Sequence, residues 1–114
     1  MRSQLSQLIL TAVFGLGIVA PAAAQTPAER GAAVFTAQKC SVCHSLDGKG
    51  NAKGALDDVG TKLTADQIRQ WITNPAEMTA KAQATRKPPM RAYTTLPKED
   101  LDALVAFLAA KKKK

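Results

Sequence analysis

Two thiols and one imidazole stand together at Cys40-Ser41-Val42-Cys43-His44. The cysteines are three apart, so one helical turn sets them on the same side, and the histidine follows at once. Thiols so spaced can add across the two vinyl groups of a haem while the imidazole turns under the iron. Cys-x-x-Cys-His is the pattern of c-type haem attachment. Other chemistries compete for so short a motif. A zinc site wants four ligands of the Cys/His type. The chain holds two Cys and one His in all, so carboxylates would have to complete a cage. A thioredoxin-like redox motif needs a βαβ setting, and no strand pattern surrounds this one. A Cys40–Cys43 disulfide could form in an oxidising compartment. It would close a very small loop and leave His44 without a role. One covalently attached haem c, with its iron, uses all three residues.

An iron held by His44 needs a ligand on its other face. Arg86-Lys87-Pro88-Pro89-Met90-Arg91-Ala92-Tyr93 has no helical pattern. Two prolines fix an extended path and remove two backbone donors, so Met90 is presented on a stiff strap. Its thioether is a soft ligand. Methionine also fills gaps in cores, and Met78 is the rival ligand. Met78 lies where a helix begins, so the helix sets its direction. The expected site is therefore Cys40 and Cys43 for attachment, with His44 and Met90 on the metal. No nucleophile–base pair or acid pair is evident, and the single histidine is taken. Two strong axial ligands leave no open position, which favours an electron carrier over an enzyme.

Residues 1–24 read as a secretory signal peptide. Arg2 gives a positive start, Leu8 to Val19 is an uncharged apolar run, and Ala22-Ala23-Ala24 offers a small-x-small cleavage site before Gln25. The apolar run is shorter than the ~18 residues a membrane span requires, so no span is expected in the mature chain. Secretion implies the periplasm. Of 114 residues, removing 24 leaves 90, enough for one small domain over residues 25–114. A domain this short buries a modest core and often needs a staple. Aromatics make up only 4% of the chain, so a flat apolar cofactor would supply the missing bulk. The net charge of +7 falls to +6 without Arg2. That balance suits an acidic redox protein partner, and secretion argues against nucleic acid. Lys111 to Lys114 reads as a solvated tail at a helix C-terminus. Lys53, Lys62 and Lys87 are the lysines expected near the haem edge.

The elements that must position these groups are helical. Thr26, Pro27 and Glu29 make a capping box with proline at the first helical position. The helix should run to about Lys39, with Gly31, Val34 and Phe35 on one face. Leu46 to Gly60, rich in Gly, Asn and Asp, reads as a loop wrapped on the His44 side of the haem, with Leu56 as its apolar contact. Thr64 and Gln67 box a second helix, Leu63 and Ile68 staple it, and Ile68, Trp71 and Ile72 form its buried face. Asn74-Pro75 ends it and opens an Ala-rich turn from Met78 to Ala84. Pro97-Lys98-Glu99-Asp100 opens the last helix, where Leu101, Leu104, Val105 and Leu108 make a stripe joined by Phe107. It should cross the first helix near Gly31 and Phe35. No strand pattern, repeat or second domain is visible.

With these residues in place, the mature chain resembles a bacterial class I c-type cytochrome, a monohaem cytochrome c. Gly31 and Phe35 ahead of the haem motif match that family's N-terminal helix. Trp71-Ile72 with Asn74-Pro75 resembles its middle helix. Met90, Tyr93, Leu96 and the last helix resemble its methionine loop and C-terminal helix. The resemblance implies an all-α small cytochrome c fold, three to five helices around one covalent haem, His and Met axial ligands, and single-electron transfer between redox proteins. A haem motif near the N-terminus argues against the four-helix cytochrome c′ type. Two departures stand out. Where the family often has Gly-Pro-x-Leu, with the proline carbonyl bonded to the proximal imidazole, this chain has Gly54-Ala55-Leu56-Asp57, and Ala55 would supply the acceptor. Where it often has Met-Pro, Arg91 follows Met90. The alternatives are a haem-based ligand sensor or small peroxidase with Met90 off the iron, and a tightly bound electron-accepting subunit of a larger periplasmic enzyme.

Overall fold

Capping side chains start the first helix where the sequence places them. Thr26 Oγ1 accepts from the Glu29 amide at 3.2 Å, and Glu29 Oε2 accepts from the Thr26 amide at 3.2 Å. Between them they satisfy two of the donors that a helix start leaves unpaired. The structure, a computed structural model, describes residues 15–17 and 25–113. The expected signal peptide over residues 1–24 lies outside the described residues except for residues 15–17, and so does Lys114.

Among the described residues five α-helices follow in order: α1 (Pro27–Ala37), α2 (Val59–Lys62), α3 (Ala65–Thr73), α4 (Pro75–Ala82) and α5 (Lys98–Ala109). Single 3-10 turns lie at Cys40–Val42 and Ala52–Gly54. The Thr64–Gln67 box on α3 is formed on both sides, at 2.9 and 3.2 Å. Pro75 opens α4, and Gln83 ends it in the left-handed region at φ 52°.

The stretch Leu46 to Gly60 differs from expectation. It is not one open loop. Residues Ser45–Leu46 (β1) and Lys49–Gly50 (β2) pair antiparallel, and α2 begins at Val59. Strand periodicity cannot be seen in two residues. What makes the hairpin is its turn, where Asp47 and Gly48 both take positive φ, 52° and 78°. Two such residues are the mark of a tight hairpin connection.

The core sits where α1 and α5 cross. Phe35 and Phe107 meet edge to face with centroids 6.2 Å apart, a favoured aromatic geometry. Val34, Leu104, Val105 and Leu108 are buried beside them. From the other side α3 adds Ile68 and Ile72, 2% and 3% exposed. Gly31 is the crossing point. A Cβ there would overlap Phe107 Cβ and the Ala103 carbonyl. Arg30 to Asp100 and Arg69 to Asp102, both 2.8 Å, tie α1 and α3 to α5 at the rim. Rim pairs of this kind add little energy, so the crossing rests on apolar packing.

The lysine tail is only in part a solvated one. The Gly60 amide donates to the Lys111 carbonyl at 2.7 Å, and the Lys113 amide donates to Thr61 Oγ1 at 2.8 Å. Lys111 Nζ lies 4.6 Å from the Phe107 ring centroid. The chain after α5 thus straps α2 to the core, because a backbone amide at the start of α2 has no helical partner of its own. Among the described residues no helix is long and apolar enough to cross a membrane.

Gly31→Ala should destabilise the haem-loaded protein by about 1–3 kcal/mol, as overpacking at a rigid crossing does. Denaturant unfolding of the two proteins side by side measures it.

Candidate haem site

The site begins at the end of α1. Lys39 takes the left-handed region at φ 57° and turns the chain out of the helix. Cys40–Val42 then winds one 3-10 turn, closed by Cys43 and His44 amides that both donate to the Cys40 carbonyl, at 3.1 and 2.9 Å. Both cysteines are half-buried. Burial pushes the Cys40 thiol above its ordinary value, against the opposing pull of its own backbone hydrogen bond and of the Arg91 charge. A thiol held in its protonated form is a poor partner for disulfide exchange. Val42, between the two cysteines, points outward and is 67% exposed.

His44 Nδ1 lies 3.0 Å from the Gly54 carbonyl oxygen. A carbonyl only accepts, so Nδ1 carries the proton and Nε2 keeps its lone pair. Burial lowers the imidazole pKa, the Gly54 carbonyl opposes this, and the Arg86 charge adds to the lowering. The ring is therefore kept neutral and directed, as a metal-binding histidine must be. The acceptor is not Ala55, as the sequence suggested. Ala55 instead pairs with Ser45 in a parallel bridge, and the Leu56 amide donates to the Ser45 carbonyl at 2.9 Å. That pairing turns the Gly54 carbonyl, one residue earlier, toward the ring.

Residues not singled out from the sequence hold this loop. The Asn51 amide donates to the Ser41 and His44 carbonyls at 3.2 and 3.1 Å, and its side chain donates to the Val42 carbonyl at 3.2 Å. Asn51 Oδ1 accepts from the Lys53 amide at 3.0 Å. Gly50, at φ 105°, leaves no room for a side chain against the His44 carbonyl. The adjacent Gly50-Asn51 was the available signal, since Asn bonds backbone groups nearby and Gly supplies positive φ.

On the far side, residues 84–97 are extended or turned, without helix, as two prolines require. The Tyr93 amide donates to the Ile72 carbonyl at 2.9 Å, which pins the strap to the end of α3. The Arg91 guanidinium lies 4.9 Å from the Tyr93 ring centroid. Met90 is half-buried and packs against the core.

These pieces surround one cavity of about 610 Å³. Cys40, Cys43, His44 and Met90 all line it, with Trp71 and Leu56. Met78, on α4, does not line it. The lining is apolar apart from a few groups, and the volume lies in the ~300–1,000 Å³ range of cofactor pockets. Three cations border it, Lys39, Arg86 and Arg91, and no carboxylate does. Lys53, Lys62 and Lys87, the lysines expected there, are not among the lining residues. Lys62 Nζ lies 3.4 Å from Asp58 Oδ1, at the start of α2. Among the described residues no three His, Cys, Asp or Glu side chains gather into a metal cage.

The Cytochrome c family model matches residues 28–112. The chain belongs to the cytochrome c family. No curated protein and no solved structure matched it. This cytochrome c has the small all-α fold of its class I members and takes one haem c, covalently bound through thioether bonds and carrying iron. It is a haem-based electron-transfer protein. The cavity suits that group. Its walls are apolar, two thiols and a neutral imidazole lie on one side, and a thioether sulfur lies on the strap.

Gly54→Ala should cost about 1–3 kcal/mol. The new methyl would strike the Cys43 carbonyl and crowd His44 Nδ1. Denaturant unfolding, together with the haem content of the purified variant, checks it.

Proposed function

We propose that the protein is a periplasmic monohaem electron carrier, with no catalytic activity of its own. In this reading Cys40 and Cys43 form the thioethers, His44 binds iron through Nε2, and Met90 is the sixth ligand. The observation that carries it is the convergence of these four residues on one cavity. The haem supplies a one-electron ferric–ferrous couple when bound. Everything else is the work of this chain. The Gly54 carbonyl orients His44, the Tyr93 amide and the Ile72 carbonyl fix the strap that bears Met90, and the helix faces keep water out. His/Met ligation raises a haem's potential and leaves no position open for substrate. Secretion is supported by Arg2, the apolar run Leu8 to Val19 and Ala22-Ala23-Ala24.

Ligation has a direct test. Met90→Ala should abolish the ferric methionine–sulfur charge-transfer band and let carbon monoxide bind, with haem still attached. Met78→Ala should change neither. Loss of the band in Met78→Ala instead would reverse the assignment. A band unaffected by both would remove methionine from the iron and favour a ligand-binding haem. For attachment, mass spectrometry of the periplasmic protein should find a chain beginning at Gln25 plus one haem that survives acid extraction.

The partner is read from charge. Lys39, Arg86 and Arg91 border the cavity without a carboxylate among its lining residues, beside the exposed Val42. Such a surface suits an acidic redox protein, with the cations acting mainly on association rate. The bimolecular electron-transfer rate with such a partner should fall steeply as salt rises, while Lys113→Gln, at a residue that does not line the cavity, should change it little.

A further inference from the structure

Gly54 does two things at once. Its carbonyl accepts the His44 Nδ1–H, and its missing side chain leaves a space. The Arg86 guanidinium leans into that space: Nη1 lies so close to the place of a Gly54 Cβ that the two would clash. The Cys43 carbonyl and His44 Nδ1 border the same point, the latter 3.0 Å away. Arg86 also lines the cavity itself. Arg86 takes part in none of the ion pairs among the described residues, so nearby carboxylates do not neutralise it. A guanidinium stays charged at any working pH. A permanent positive charge is thus held against the backbone that orients the imidazole.

We propose that Arg86 is a positioning and redox-tuning residue: seated on Gly54, its charge favours the ferrous over the ferric iron and raises the reduction potential. The physical reason is Coulombic. Oxidation adds one positive charge at the iron, and a fixed cation nearby makes that step less favourable. The charge also polarises the Gly54 carbonyl away from the imidazole N–H. That weakens the hydrogen bond which would make the ring a stronger donor to ferric iron. Arg86 is exposed, so water and salt screen part of the effect. This inference rests on His44 as the proximal ligand.

The test is an equilibrium redox titration of the haem-loaded protein and three variants: Arg86→Gln, Arg86→Lys and Lys87→Gln. Arg86 is a surface residue, so folding should tolerate its replacement. Arg86→Gln should lower the ferrous-to-ferric ratio at fixed applied potential about two- to fivefold, which is ~18–41 mV at 59 mV per tenfold for one electron. Arg86→Lys should keep most of the parent value. Lys87→Gln removes the same charge from the next residue, which does not line the cavity, and should shift the ratio less. The Arg86→Gln shift should shrink as salt is raised from about 10 mM to about 1 M, where the Debye length falls from ~30 to ~3 Å.

Equal shifts in Arg86→Gln and Lys87→Gln would mean only net charge matters and would overturn the proposal. Equal losses in Arg86→Gln and Arg86→Lys would make it a matter of shape, not charge. A shift that appears only with altered pH dependence between pH 5 and 8 would assign Arg86 to a haem propionate instead. The visible spectrum separates two kinds of failure. A parent protein without imidazole-ligated haem c sinks the ligand reading itself. An intact spectrum with unchanged potentials sinks only the role of Arg86.

Discussion

Backbone-to-backbone approach at Gly31 is the constraint on which the rest depends. Two helices can come this close only where one of them carries no side chain. With a Cβ at that point, α1 would have to retreat from Ala103 and Phe107 of α5. Phe35 would then lose its edge-to-face partner, and the end of α1 would swing with it. Because Cys40 follows that end by three residues, the crossing aims the haem motif. A small core of this kind has little redundancy. Ile68, Ile72, Leu104 and Leu108 serve both as packing and as cavity wall.

The two sides of the cavity are built by different means. On the His44 side the chain is short and self-bonded. A hairpin, a 3-10 turn and the Asn51 side chain fold back on the motif, and the imidazole is oriented by a carbonyl ten residues away. On the Met90 side the chain is stiff. Prolines limit its conformations, and the Tyr93 amide ties it to α3. Stiffness lowers the entropy lost when a side chain is fixed in place. Backbone bonding on one side and proline restriction on the other limit the movement of the groups that face the cavity.

Charge is distributed with the same economy. The acids pair away from the cavity: Asp100 with Arg30, Asp102 with Arg69 and Lys98, Asp58 with Lys62. The cations that remain at its border are two arginines and a lysine. On the reading proposed here, their field acts outward on an approaching partner and inward on the iron. These are separate consequences of one arrangement, the first expressed in an association rate and the second in an equilibrium.

Local chemistry made much of this protein legible before folding. Thr26 with Glu29 and Thr64 with Gln67 name their helix starts, because each box closes within four residues. The stripe on α5 and the spacing of Cys40, Cys43 and His44 are equally local, and the strap around Met90 follows from proline stereochemistry. What needed the tertiary structure was pairing between distant segments. Which carbonyl meets His44 was off by one residue, because Ser45 claims Ala55 by a bridge no spacing shows. That Lys39, Arg86 and Arg91 are the cations lining the cavity also needed the folded chain, because it depends on how the strap lies. The lysine tail was taken as free, whereas Lys111 caps α2 across half the chain. The seat of Arg86 on Gly54 belongs to the same class. One residue lacks a side chain and another, thirty-two positions on, lies close against the space this leaves, and only the folded chain brings the two together.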